Sequence, residues 1–137
     1  LNAITLPNYD FIINSPEFKK EGEDFTIWFF EGILEKNPNY MDCLMYLGNA
    51  YTVQGMYEKG LLVDQKLSRL RPTDPLVHYN LACSYALLKN IDAAFEALEM
   101  AITVGYKDMY HLERDKDLVY LKEDDRYQKL IEKMKKC

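Results

Sequence analysis

Apolar residues in the middle of the chain recur with the spacing of amphipathic helices. Leu44, Leu47 and Tyr51 fall on one helical face, and Leu81 and Tyr85 fall on another. This spacing predicts an all-α fold built from helices of about four turns.

The helical blocks repeat with a period of 34 residues. Sliding the chain by that period superimposes residues of similar character: Leu47 on Leu81, Gly48 on Ala82, Tyr51 on Tyr85 and Gly60 on Ala94. Gly55 and Asn90 divide each block, so we expect two antiparallel helix pairs. Their expected bounds are 41–54 with 57–70, and 75–88 with 91–103. Small residues at matching positions allow the helices of a pair to approach closely.

These residues resemble the tetratricopeptide repeat, a helix pair with a pattern of 34 residues. Residues 41–74 match its apolar, small, aromatic and proline positions at Leu44, Leu47, Gly48, Tyr51, Gly60, Leu67 and Pro72. Residues 75–108 match it at Leu81, Ala82, Tyr85, Ala94, Leu98 and Ala101. The resemblance implies a tetratricopeptide-like array of antiparallel helix pairs, an α-solenoid with a right-handed superhelix.

Upstream of these repeats, residues 23–40 are similar to the second half of a repeat. The matching apolar positions predict a helix at 23–37. Pro16 is expected to start a separate, short helix that ends before Gly22.

Downstream, residues 109–137 resemble the tail that closes many bacterial tetratricopeptide proteins. We expect its last helix at 125–136, with Asp124 as the N-cap. Residues 16–137 are thus expected to form a single helical domain, and an apolar segment, 1–15, precedes it.

The opening residues 1–13 are apolar without matching any repeat position, and Pro7 favours extended backbone there. The segment has no basic leader, so we do not expect a signal peptide. It is expected to cover the helix that carries Trp28, to lie along the groove near Met45 and Tyr79, or to be disordered. The helix with Trp28 is apolar nearly all round, which predicts burial on two sides or, alternatively, an exposed patch for dimerisation.

In tetratricopeptide proteins the first helix of each repeat lines a concave groove, and the resemblance implies this role for ten residues here. They are Met45, Asn49, Thr52, Val53, Tyr79, Asn80, Cys83, Leu87, Tyr110 and Arg114. Because the set is largely apolar and uncharged, we expect it to bind a peptide with aliphatic or aromatic anchors.

A two-carboxylate clamp, which holds the acidic tails of heat-shock chaperones, is one known use of such a groove. Asn49, Asn80 and Arg114 match its pattern, but Met45 and Tyr110 stand where lysines belong. The loss of two cations removes most of the attraction for a carboxylate, so we do not expect a clamp.

Two residues inside the repeats, Asp64 and His78, occupy positions that are normally apolar. The second helix of one repeat packs against the first helix of the next, so both side chains belong to the same seam. A buried charge needs a partner, and we consider an Asp64–His78 contact. In the alternative, Asp64 turns to solvent and His78 is satisfied within the core.

Composition narrows the classes of function. Seventeen Lys and Arg against 22 Asp and Glu give a net charge of −5, which argues against a nucleic-acid partner. No run of about 18 apolar residues is present, so no membrane span is expected. Three cysteines without a C-x-x-C pair are typical of reduced thiols in a cytoplasmic protein.

We expect no catalytic, cofactor or metal site. His78 and His111 lack the spacing of zinc ligands, and residues 115–117 begin like a calcium loop without its remaining ligands, which favours solvated helix-capping acids. The sequence therefore predicts a non-catalytic protein-interaction module, a scaffold or adaptor with a protein or peptide partner. A small chaperone for an exported client, or an oligomerisation module that dimerises through the Trp28 helix, is the alternative.

Overall fold

The computed structural model describes residues 16–136, with side chains from residue 21 onward. The helices of this part are α1 (Pro16–Lys36), α2 (Met41–Val53), α3 (Tyr57–Leu70), α4 (Pro75–Leu87), α5 (Ile91–Thr103), α6 (Met109–Arg114), a 3₁₀ segment (Lys116–Leu121) and α7 (Asp125–Lys135). Residues 16–136 contain no strand. The fold is an all-α, tetratricopeptide-like array of helix pairs that ends in a capping helix.

Both helix pairs predicted from the repeat are confirmed, with every boundary within one residue of its expected position. The close approach of α2 and α3 depends on glycine. A Cβ atom added to Gly48 would lie 3.2 Å from Cγ1 of Val63, and one added to Gly60 would lie 3.3 Å from Oγ1 of Thr52. Ala82, the equivalent of Gly48 in the second pair, is fully buried. Small residues therefore set the spacing within each pair.

Local signals determine where several helices begin and turn. The backbone N–H of Leu76 donates to Oδ1 of Asp74 at 3.0 Å, and Pro75 follows as the first helical residue. Gly55 and Lys89, which are equivalent in the two repeats, both have left-handed backbone, with φ of 74° and 60°. The two hairpins thus share one turn geometry.

Helix α1 is continuous from Pro16 to Lys36, so the expectation of a short helix ending before Gly22 is wrong. A single exposed glycine weakens a helix by about 1 kcal/mol relative to alanine. Contacts that the helix makes elsewhere can offset this cost. The Gln54 side chain donates to Oε2 of Glu23 at 2.6 Å, and the Tyr51 hydroxyl donates to Glu31. These bonds join α1, at Glu23 and Glu31, to the C-terminal end of α2.

The C-terminal residues form the expected cap. Asp124 accepts a hydrogen bond from the backbone N–H of Arg126 at 2.9 Å and starts α7. The apolar stripe of α7 is buried in the core shared with α4 and α5: Tyr127, Leu130, Ile131 and Met134. Leu112 and Leu118, from α6 and the 3₁₀ segment, are fully buried in the same core. The cap therefore closes the apolar end of the second repeat.

Helix α1 buries only one side among the described residues. Ile27 is buried against α2, whereas Phe25, Trp28 and Phe29 are exposed by 61%, 67% and 48%. The described residues therefore bury α1 on one side and not on two. The expected placement of segment 1–13 lies outside the described residues.

None of the helices described between residues 16 and 136 has both the length and the apolar character needed to cross a membrane.

Candidate functional site

One pocket of about 240 Å³ lies where the two repeats and the cap meet. Helices α2 and α4, which are the first helices of the two repeats, form two of its walls, α3 contributes to a third, and the start of the cap closes one end. Its lining residues are Met45, Gly48, Asn49, Thr52, Asp64, Leu67, Tyr79, Asn80, Cys83, Ser84, Leu87, His111, Asp115 and Asp117.

Seven of the ten residues inferred to line the groove border this pocket: Met45, Asn49, Thr52, Tyr79, Asn80, Cys83 and Leu87. Val53 does not, because its exposed side chain lines a neighbouring hollow beside α1. Tyr110 and Arg114 also lie outside the pocket. They stack on each other, with the Arg114 guanidinium carbon 3.5 Å from the Tyr110 ring centre.

Tyr79 anchors the cap to the second repeat. Its ring is buried and stacks on Tyr106 with ring centres 4.3 Å apart, and its hydroxyl donates to Oδ2 of Asp115 at 2.6 Å. Burial, reinforced by that carboxylate, raises the pKa of Tyr79. His111 also approaches Asp115, with its Nε2 atom 3.3 Å from Oδ2. Asp115 is consequently held in place from two sides.

Asp64 does not pair with His78, and the hypothesis of that contact is wrong. The Ser84 hydroxyl donates to Oδ2 of Asp64, whereas the His78 ring is hydrogen-bonded through Nε2 to the Pro72 carbonyl at 2.7 Å. The alternative for Asp64 is also wrong, because this residue is only 6% exposed. His78 is satisfied as that alternative expected. Burial raises the pKa of Asp64 to about 6, although the Ser84 bond opposes the shift.

The groove was predicted to be largely apolar and uncharged, and the prediction of little charge is wrong. Asp64, Asp115 and Asp117 all line the pocket, and no Lys or Arg is among its lining residues in the described part of the chain. Burial raises the pKa of Asp117, and the neighbouring Asp115 raises it further. These carboxylates make the pocket acidic, while Met45, Leu67 and Leu87 add apolar surface to its lining.

The Cys83 thiol lines the same pocket, next to the carboxylates of Asp115 and Asp117. Burial raises its pKa, and the nearby Asp115 and Asp117 raise it further. A reactive cysteine needs the opposite environment, with a cation or base that favours the thiolate. The surroundings of Cys83 thus disfavour the thiolate, which is the form that a reactive cysteine needs.

Metal-ligating atoms of Cys83, Asp115 and Asp117 lie within 4.8 Å of one another. A metal would have to displace the thiol proton, and Asp115 already accepts the Tyr79 hydroxyl and the backbone N–H of Asp117. The two carboxylates attract cations in general. The group contains no histidine, however, and its thiol resists deprotonation, so it lacks the thiolate and histidine ligands typical of a structural zinc site.

Sequence reasoning missed the acidic side of the groove. Asp115 acts as the expected cap, since the backbone N–H of Asp117 donates to its Oδ1 at 3.0 Å, but it is partly buried in the groove instead of solvated. Asp64 was recognised as a departure from the repeat without being assigned to the groove. The absence of an apolar residue at a normally buried position was the signal that could have found it.

No protein-family model matches the chain. Among curated proteins, a chloroplastic protein of Arabidopsis thaliana is 30% identical over 87 residues, which make up 61% of this chain and 26% of that protein. The chain thus spans about a quarter of the length of this relative.

Two solved structures resemble the fold. The "MamA RS-1 ArsTM double mutant" superimposes with a TM-score of 0.67 over 86% of this chain and 68% of that one. "MamA 41-end from Desulfovibrio magneticus RS-1" does so with a TM-score of 0.63 over 86% and 70%. Both are 17% identical in sequence, so the likeness concerns the arrangement of helices.

Proposed function

We propose that this chain is a non-catalytic protein-interaction module, a scaffold or adaptor that binds a peptide or protein segment in its concave groove. The observation that carries the proposal is that the first helices of both repeats contribute polar and apolar side chains to one pocket. Asn49 and Asn80 line this pocket, and their amides suit the backbone of an extended peptide.

Selection from a displayed library of random 12-residue peptides tests this function. We expect enriched peptides to bind the wild-type chain and to lose affinity when Asn49 and Asn80 are both replaced by alanine. The matched control is Asn39→Ala with Gln128→Ala, two exposed amides that do not line the pocket. Enrichment that is insensitive to the groove variants would refute groove binding.

A small chaperone for an exported client remains the closest alternative, because the same groove would hold an unfolded segment of the client. Suppression of aggregation of an unfolded test protein by equimolar chain, abolished in the Asn49 and Asn80 variant, would favour this role. A stable complex with one short motif favours the adaptor.

A second candidate function is self-association through α1. The exposure of Phe25, Trp28 and Phe29 favours it. The centre of the Phe25 ring lies 5.6 Å from that of Trp28 and 6.2 Å from that of Phe29. Light scattering after gel filtration distinguishes a homodimer from a monomer, and Trp28→Ser should shift a dimer to the monomer mass.

The buried thiols and the negative charge of the chain favour a location and a class of partner. Cys43 and Cys83 are buried free thiols, which favours a reducing compartment, and we propose the cytoplasm. The net charge of −5 and the acidic pocket favour a protein partner over a nucleic acid.

A further inference from the structure

The buried carboxylate of Asp64 is the least expected feature of the groove. It lies on α3 at a position that is apolar in the repeat pattern, and it is 6% exposed. Ser84 donates to its Oδ2, and Oδ1 has no hydrogen-bond partner among the described residues. Asp64 lines the pocket together with Gly48, so this carboxylate borders the open space beside α2.

Two more carboxylates face the same space from the cap. Asp115 and Asp117 line the pocket, and their oxygens lie within 4.8 Å of the Cys83 sulfur. His111 is the one basic side chain that lines the pocket in the described part of the chain, and it is more than half exposed beside Asp115. Three acids and a single partly solvated imidazole leave this cavity short of positive charge.

The shape of the cavity suits a single side chain. Its volume of about 240 Å³ falls below the ~300–1,000 Å³ typical of sites for whole drug-sized ligands. Met45, Leu67 and Leu87 supply apolar surface to the lining of the pocket, beside the carboxylates. An aliphatic stem with a charged end matches that combination, because such a side chain buries its methylenes and keeps its charge at polar groups.

We propose that this pocket receives a lysine or arginine side chain of the bound peptide, with its cationic end between Asp64 and the carboxylates of the cap. The inference rests on the proposed groove function and names the chemical class of its anchor. Asn49 and Asn80, which also line the pocket, would hold the peptide backbone on either side of that anchor.

Four fluorescein-labelled libraries of nine-residue peptides test the proposal, with the centre fixed as Lys, Arg, norleucine or Glu and the other positions random. Anisotropy in EDTA should show binding of the Lys or Arg library about tenfold tighter than the norleucine library, since hydrogen bonds to charged groups are strong. The advantage should shrink in Asp64→Asn and in Asp117→Asn, and stay in Glu96→Gln, an exposed acid on α5 outside the pocket.

Equal binding of the basic and norleucine libraries overturns the proposal. If that equal binding is still lost in the Asn49 and Asn80 variant, groove binding stands and only the anchor is wrong. If no library binds in a groove-dependent manner, the proposed function fails with it.

A metal is the competing occupant, and calorimetry with zinc chloride alone addresses it. Zinc binding that disappears in Cys83→Ser, together with no preference among the libraries, would assign the pocket to a metal and overturn the proposal. Circular dichroism confirms that each variant is folded, and Asp117→Asn serves as a second carboxylate test if Asp64→Asn does not fold.

Discussion

The hydroxyl of Ser84 on α4 donates a hydrogen bond to Oδ2 of Asp64 on α3, across the seam between the two repeats. Asp64 is only 6% exposed, and burial raises its pKa to about 6 although the Ser84 hydrogen bond opposes the shift. The raised pKa implies that ionised Asp64 destabilises the fold near neutral pH, and its position in the proposed groove makes it a candidate for function.

Replacement of Asp64 by asparagine should stabilise the chain at pH 7.5. The folded-state pKa of about 6 exceeds the ordinary value of about 4, so the folded state holds this proton more tightly than the unfolded state. The contribution of Asp64 to stability is therefore fully present below about pH 4 and is lost as the pH rises to about 6. The shift corresponds to a difference of up to ~3 kcal/mol.

Urea denaturation of wild type and Asp64→Asn from pH 4 to pH 8 measures this effect. We expect similar unfolding free energies at pH 4 and a gap that opens towards pH 6 and then stays constant. Asp24→Asn, an exposed acid on α1, is the control and should show no such gap. A difference of the same size at every pH would contradict the proposed titration.

Tyr79→Phe should destabilise the junction between the second repeat and the cap. The substitution removes the hydroxyl that donates to Asp115 at 2.6 Å and keeps the ring that stacks on Tyr106. Loss of a buried hydrogen bond to a charged group costs ~1–3 kcal/mol, which urea denaturation resolves. Tyr110→Phe, at an exposed ring, provides the matched control with no expected change; equal stability of the two variants would show that the Tyr79 bond contributes nothing.

The equivalent turn positions 55 and 89 should respond unequally to exchange of their residues. Gly55→Lys places a side chain on left-handed backbone and should cost ~1–2 kcal/mol. Lys89→Gly relieves the same strain but loses the contact of the Lys89 ammonium with the Tyr120 ring, 5.2 Å away, and gains unfolded-state entropy. We therefore expect it to change stability by less than about 1 kcal/mol. Thermal midpoints of both variants check this asymmetry, and a large loss in Lys89→Gly would contradict it.

Deletion of residues 1–14 tests where the apolar N-terminal segment goes. The segment joins the chain at the start of α1, the helix that exposes Trp28, which is the one tryptophan of the sequence. If the segment covers that face, deletion should move the tryptophan emission to longer wavelength and lower the thermal midpoint. If it occupies the groove, emission should stay and the affinity for peptide should rise. A variant unchanged in emission, stability and affinity would exclude both placements.

The sequence by itself determined the helices of both repeats. Bounds from 41 to 103 were predicted to within one residue, because helix periodicity, the small residues Gly48 and Gly60, and the Asp74 cap are local or strictly periodic signals. The resemblance to the tetratricopeptide repeat implied a set of groove residues on α2 and α4, and seven of the ten residues in the full set border one pocket. A local signal failed at Gly22, where contacts of α1 with α2 outweigh the tendency of glycine to end a helix.

Only the tertiary structure decided the charge of the groove. The partner of Asp64 is 20 residues away at Ser84, and the partner of Tyr79 is 36 residues away at Asp115. Neither distance follows from the repeat period, because the cap leaves the repeat pattern and folds back on α4. Acids that look like solvated caps in sequence become groove residues when packing brings them together, and burial then changes their pKa and the chemistry of the partner they favour.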